Sequence, residues 1–342
     1  MIPREQRRLA FLRLSGWEQA QMTPLAGDAS TRCYLRLTGG PDHQRAILMD
    51  ADPQTGDTQH AFVQIAGYLT AAGFSAPRIF AADIAQGFVL LEDYGDGLFA
   101  KILAYVPAQE AVLYRAAADC LAALHRQPAA PGLLPASADV MAKLIDPAFE
   151  WYAAKATSEN MAKAKIATVA LLGASLRRHA SQCSVTVLRD FHAENLIWLP
   201  ERTGICRVGL LDFQDAVVGH PAYDLVSLTR DARRDLGPGV AALTTQHYLS
   251  QSPVEPAPFL DATAVLSVQR NLRILGIFVR LAFEAGKTRY LDLLPRVWDH
   301  MLYDLAHPDL SDIARVITDN LPAPDSKLLT KLKAACPQTP TP

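Results

Sequence analysis

Two groups of polar residues are spaced so that they could act on one substrate. The first is Leu188-Arg189-Asp190-Phe191-His192-Ala193-Glu194-Asn195. The second is Leu211-Asp212-Phe213-Gln214-Asp215, with Asp212 placed 17 positions after Asn195. Each follows a short apolar run of strand-forming residues, which would aim its carboxylates into a cleft. Residues of these types have the parts needed to move a phosphoryl group. One carboxylate orients an attacking hydroxyl, and amide and carboxylate oxygens hold magnesium, a hard cation that prefers oxygen. Asp190 suits the first role, and Asn195 and Asp212 suit the second. Taken singly, Asp190 could cap a turn, Asn195 could hold an Asx turn and Asp212 could end a strand. The three in order favour a nucleotide–magnesium site.

The elements that must position these loops are of two kinds. The first ~95 residues read as mixed strand and helix. Strands are expected over 33–37, 46–49, 79–83 and 87–91, with a helix over 57–72 ending at Gly73. The polar, glycine-bearing run Glu92-Asp93-Tyr94-Gly95-Asp96-Gly97 marks the lobe boundary. Beyond it the pattern is mostly helical, over 107–127, 148–179, 223–235, 240–250, 260–285 and 291–306, with short strands at 185–188 and 208–211. The expected organisation is an α+β chain with an N-terminal nucleotide-binding lobe at 1–94. A helical lobe carrying the catalytic and acceptor sites follows at 95–325, and a flexible tail at 326–342.

Composition narrows the classes. The 342 residues include 33 basic and 35 acidic side chains, for a formal charge of −2, which argues against nucleic acid as a partner. Half the residues are apolar, enough for a sizeable core. No apolar run approaches the ~18–20 residues that span a bilayer, and no apolar segment follows the N-terminal charges. The five cysteines are scattered without a C-x-x-C pair, as in reduced proteins. The expectation is a soluble, cytoplasmic protein with a small-molecule substrate; the oligomeric state stays open.

Upstream, Leu25-Ala26-Gly27-Asp28-Ala29-Ser30-Thr31-Arg32 precedes the strand at 33–37. Small residues let backbone N–H groups approach phosphate, and the Ser30 and Thr31 hydroxyls can donate, although an ordinary turn has the same composition. The Asp190 to Asn195 spacing, followed by Asp212-Phe213, matches the kinase signature R-D-x-x-x-x-N and D-F-G, with Gln214 in place of its glycine. Together with Leu90-Leu91-Glu92-Asp93-Tyr94-Gly95 and Gly219-His220-Pro221-Ala222-Tyr223-Asp224-Leu225, these segments resemble the aminoglycoside phosphotransferase and choline kinase superfamily. Within it they are most similar to the bacterial N-acetylmuramate/N-acetylglucosamine anomeric kinases of cell-wall recycling.

That resemblance implies a protein-kinase-like bilobal fold, with a small antiparallel-sheet lobe, a larger helical lobe and ATP between them. It implies Asp190 as catalytic base and Asn195 and Asp212 as ligands of Mg2+. It implies Glu92 to Tyr94 as the hinge whose backbone meets adenine, and Gly27, Ser30, Thr31 and Arg32 on the phosphate side. The implied reaction is ATP-dependent phosphorylation of an amino-sugar anomeric hydroxyl. Another alcohol acceptor on the same fold, or a nucleotide-binding pseudokinase, are the alternatives.

The chain departs from that pattern at the phosphate clamp. Met49 stands where the superfamily usually has a strand lysine, the 57–72 helix contains no Glu, and Leu188 replaces a common His. Arg32 and Arg36, taken to have opposite strand orientation, are candidate substitutes, with Arg32 preferred. On the acceptor side, His192, Glu194, Gln214 and Asp215 could hydrogen-bond sugar hydroxyls; a structural bond for His192 and a solvated turn for Asp215 are the plainer readings. The basic runs at Arg230, Arg233 and Arg234 and at Gln269-Arg270-Asn271-Leu272-Arg273 could grip an acceptor carboxylate or form a solvated helix face.

Overall fold

Apolar residues that alternate along three strands, at 35, 37, 46, 48, 88 and 90, set the register of a sheet. The computed structural model describes residues 3–25, 32–53 and 59–337. In chain order its first elements are α1 (Arg4–Leu14), β1 (Gln21–Leu25), β2 (Cys33–Thr38), β3 (Ala46–Asp50), α2 (Gln59–Ala71), β4 (Ile79–Asp83), β5 (Phe88–Glu92), α3 (Phe99–Tyr105) and α4 (Glu110–His125). There follow α5 (Ala138–Lys143), a π-helical segment (Ala148–Ala153) running into α6 (Ala154–Ala156), α7 (Ala162–His179), β6 (Val185–Val187), β7 (Leu196–Trp198), β8 (Val208–Leu210) and β9 (Val217–Gly219). The last are α8 (Ala222–Thr229), α9 (Val240–Gln251), α10 (Pro256–Ala285), α11 (Leu294–Leu305), α12 (Ser311–Asn320) and α13 (Ser326–Ala335).

These elements form two compact units that do not follow a single cut in the chain. One takes the residues up to Ala123 together with Leu188–Ala216, and the other takes Leu124–Val187 together with the residues from Val217 onward. The loops bearing Asp190, Asn195 and Asp212 therefore belong to the same unit as the N-terminal sheet.

In that first unit the sheet is antiparallel, in the order β1-β2-β3-β5-β4. One face buries Leu35, Leu37, Ala46, Leu48, Phe88 and Leu90 against Phe11 and Leu12 of α1 and against Trp17. The helix is pinned by charge as well: Arg4 and Arg8 both pair with Asp50, and the Arg4 guanidinium lies over the Phe88 ring at 4.1 Å. The opposite face carries Tyr34, Arg36, Ile47 and Met49, with Tyr34 directly across from Met49. Arg32 and Arg36 are four positions apart, an even offset. Parity therefore sets them on the same face, not on opposite ones as expected. Helix α2 ends at Gly73, whose φ of +84° supplies the left-handed turn expected there. Strand β1 escaped the sequence pattern because it is an edge strand with exposed residues, held by backbone pairing to β2 and not by burial.

The second unit is built on α10, which packs against α7, α8, α11 and the π-helical segment. The close approach to that segment depends on Gly276. A Cβ there would meet the Pro147 carbonyl carbon and oxygen at 2.0 Å and the Ala148 nitrogen at 2.5 Å. Backbone atoms cannot rotate away as a side chain can. Gly276→Ala is therefore expected to cost about 3 kcal/mol or more. The measurement is thermal unfolding, and an unchanged Tm would refute the contact.

The helix expected over 148–179 is interrupted, because Thr157 is extended (φ −130°, ψ 162°) between the π-helical segment and α7. The tail expected to be flexible from 326 is instead helical to Ala335: Asp325 caps α13 by accepting from the Leu328 N–H (2.7 Å), and Leu332 is fully buried. Among the described residues no helix is long and apolar enough to cross a membrane.

Candidate active site

The two acidic loops are joined by a short hairpin. Strands β7 and β8 pair in register, Leu196 with Leu210, so the residues on either side of the pair are neighbours. The Leu211 N–H donates to the Asn195 carbonyl at 3.0 Å. The hairpin is tied to its own unit by the Leu210 N–H donating to the Ser75 carbonyl (2.8 Å) and the Trp198 N–H donating to the Gly97 carbonyl (2.7 Å). The turn after β8 is held by Phe213, which is fully buried and stacks on Phe62 of α2 at 4.9 Å. With the ring anchored inward, its neighbour Asp212 takes a left-handed conformation, φ +55°, and Arg189 does likewise at φ +72°. Such residues cost of order 1–3 kcal/mol and persist where the surroundings impose them.

The side chains converge. Asn195 Nδ2 donates to the Asp190 main-chain carbonyl at 3.0 Å and lies 3.4 Å from both Asp212 Oδ2 and the His192 ring. These contacts all use the amide nitrogen, so Oδ1 is the atom left to serve as a ligand. Gln214 Nε2 donates to Asp212 Oδ1 at 2.9 Å, and Arg32 Nη1 lies 3.9 Å from the same oxygen. Withdrawal from water pushes the Asp212 carboxyl above its ordinary range, although 45% of its side chain is open. The charges of Asp190 and Asp215 push the same way, while the Gln214 hydrogen bond and Arg32 pull against them.

These residues fit a magnesium ion carried in with a nucleotide. They offer an amide and a carboxylate oxygen side by side, in a place crowded with negative charge. Magnesium typically takes only one or two carboxylates from protein and fills its shell with phosphate and water. Among the described residues no group of three or more His, Cys, Asp or Glu is placed to hold a metal ion.

At the expected hinge the acidic side chains are occupied. Arg202 donates to Glu92 Oε1 and to Ser75 Oγ, each at 2.7 Å, and its guanidinium sits 4.8 Å from the Tyr94 ring centroid. Arg36 pairs with Asp93, which is 2% exposed, and with Asp96. Asp93 Oδ1 in turn accepts from the Gly95 N–H at 2.8 Å. Burial pushes the Tyr94 hydroxyl far above its ordinary value, so it stays neutral. The Glu92 N–H is also engaged, donating to the Arg78 carbonyl at 2.8 Å.

The remaining sequence expectations sort as follows. Gly27, Ser30 and Thr31 lie outside the described residues. His192, named for the acceptor, is 3% exposed and sits against Asn195. Gln214, named for the acceptor too, is 7% exposed; its Nε2 donates to Asp212 while its buried Oε1 has no partner. Glu194 and Asp215 are exposed. Arg230 donates to both oxygens of Asp304 (3.1 and 3.2 Å), and Arg270, 5% exposed, donates to Ser227 Oγ (2.7 Å), so neither belongs to a solvated face. The His220 imidazole is pushed down to about 4 by burial and accepts from the Ala222 N–H at the start of α8. Sequence reading missed Arg202 altogether: its partners Glu92 and Ser75 lie 110 and 127 positions away, and no local pattern encodes such a pairing.

The chain is similar to known proteins along most of its length. The sequence model described as the phosphotransferase enzyme family matches residues 21–259. The chain is 37% identical to the N-acetylmuramate/N-acetylglucosamine kinase of Caulobacter vibrioides, over 91% of this chain and 94% of that one. It is 32% identical to the protein of the same name from Pseudomonas aeruginosa, over 88% and 90%. Among solved structures, the choline/ethanolamine kinase family protein of Mesorhizobium loti superposes with a TM-score of 0.60 at 12% identity, covering 92% of this chain and 98% of the other, which is likeness of fold.

Proposed function

Because the chain belongs to the phosphotransferase enzyme family, and is a kinase, we propose that its acceptor is the C1 hydroxyl of N-acetylmuramate or N-acetylglucosamine, with ATP as phosphoryl donor. The observation that carries the acceptor is the likeness to two kinases of that name along nearly the whole of both chains. The hydrogen-bonded set of Asp190, Asn195 and Asp212 supports the chemistry.

Each residue then has a part. The Asp190 carboxylate orients the acceptor hydroxyl for in-line attack on the γ-phosphorus and takes its proton as the new P–O bond forms and the bond to the departing ADP breaks. Asn195 Oδ1 and the Asp212 carboxylate would hold magnesium, which would supply positive charge against the phosphoryl oxygens. Gln214 fixes the Asp212 carboxylate by donating to Oδ1, a task for which the glycine of the related signature has no side chain. His192 packs beneath Asn195 and keeps the loop in shape. Among the acceptor candidates, Glu194 and Asp215 are the exposed ones and are the groups proposed to meet sugar hydroxyls.

The test is an acceptor panel with ADP release as readout. N-acetylmuramate and N-acetylglucosamine are expected to be turned over, and N-acetylglucosamine with a methyl group on the C1 oxygen is expected to be inert. Turnover of choline or an aminoglycoside with both N-acetyl sugars inert would refute the acceptor. Nucleotide binding with no turnover of any acceptor would instead favour a pseudokinase.

A further inference from the structure

A nucleotide's phosphates bring several negative charges beside the Asp190 and Asp212 carboxylates, and a kinase needs a cation to offset them. The strand position expected to supply it holds Met49, which is fully buried with the Tyr34 hydroxyl 3.6 Å from its sulfur. Helix α2 offers no acidic partner either, its residues being Gln-His-Ala-Phe-Val-Gln-Ile-Ala-Gly-Tyr-Leu-Thr-Ala. We infer that Arg32 has taken over this role: its guanidinium, set on the Met49 face of the sheet and within 3.9 Å of Asp212 Oδ1, is the clamp for the nucleotide's β-phosphate side.

Two observations converge on Arg32. The first is register. Cys33 pairs with Asp50 and Tyr34 with Met49, so Arg32, one residue ahead of β2, lies diagonally across from Met49 on the same face. Diagonal neighbours are about 7–8 Å apart, within reach of an arginine. The second is burial: only 6% of the Arg32 side chain is exposed, so a permanent charge has been brought into the site and set opposite a carboxylate. At 3.9 Å the Arg32–Asp212 contact is an ion pair too long for a good hydrogen bond. The planar fork of Arg then meets phosphate in a two-point geometry that lysine lacks.

This inference rests on the phosphotransferase reading, and its test separates the two. ADP and ATP with Mg2+ are titrated by calorimetry into wild type, Arg32→Ala and Arg32→Lys, and adenosine binding is followed by ligand-observed NMR. Arg32→Ala is expected to weaken ADP and ATP by roughly 10- to 100-fold with adenosine unchanged, and Arg32→Lys to recover part of the loss. Undiminished ADP binding in Arg32→Ala would overturn the assignment. So would parallel loss of adenosine and ADP, which marks a structural residue. Wild type that binds none of the three would overturn the nucleotide site itself, and the clamp with it.

Discussion

Replacing Asp190 with Asn is expected to lower kcat by roughly 10²–10⁴-fold, the usual contribution of a positioned general base. Nucleotide affinity is expected to stay at the wild-type value. The structure gives a reason to expect so clean a separation. It is the main-chain carbonyl of Asp190, not its carboxylate, that accepts from Asn195 Nδ2. The substitution therefore removes the proton acceptor while the bond that positions the metal ligand stays in place. Steady-state kinetics with ATP and the sugar acceptor, beside calorimetry with ADP, would measure both. Full activity in Asp190→Asn would sink the role, and loss of ADP binding would show that the side chain supports the loop after all.

Replacing Asp212 with Asn should be the other severe change, and its effects on activity and stability should have opposite signs. Losing the charged ligand removes several kcal/mol of charge stabilisation, roughly a 10³-fold drop in kcat/KM. Titration with Mg2+ should show the weakened metal dependence directly. Stability should hold or rise. The Asp212 carboxyl is pushed up by withdrawal from water and by the charges of Asp190 and Asp215, so the fold carries an ionised group that its surroundings disfavour. A neutral amide of the same shape relieves that crowding, and its oxygen can still accept from Gln214. Sites kept charged for function at the expense of stability are a common trade-off. A lower Tm in Asp212→Asn would show that the carboxylate is held chiefly for structure.

How much of this was legible beforehand depended on how local the information is. Strands β2, β3 and β5 showed in the alternation of Leu35, Leu37, Ala46, Leu48, Phe88 and Leu90, since one buried face imposes a period of two on the residues themselves. Strands β7 and β9, three residues each, are too short to show any period. Helix α13 was hidden by a Pro- and Lys-rich composition, yet its Leu328 and Leu332, one turn apart, are buried and capped by Asp325. The lobe boundary read at Glu92–Gly97 is a real connector in sequence, but compactness follows spatial contacts, which return Leu188–Ala216 to the first unit.

The site divides in the same way. By itself the sequence named the groups proposed to react: Asp190, Asn195 and Asp212 lie within two short loops, where residue type and spacing point to the chemistry. It also showed that the usual clamp lysine is missing. Only the tertiary structure decided what surrounds those groups. That Arg202 locks Glu92 and Tyr94, and that Arg32 faces Asp212 while Arg36 is spent on Asp93, are outcomes of contacts between residues distant in sequence. A side chain's neighbours across such separations are chosen by strand register and core packing, and a charge in a buried site goes to whichever partner that packing brings within reach.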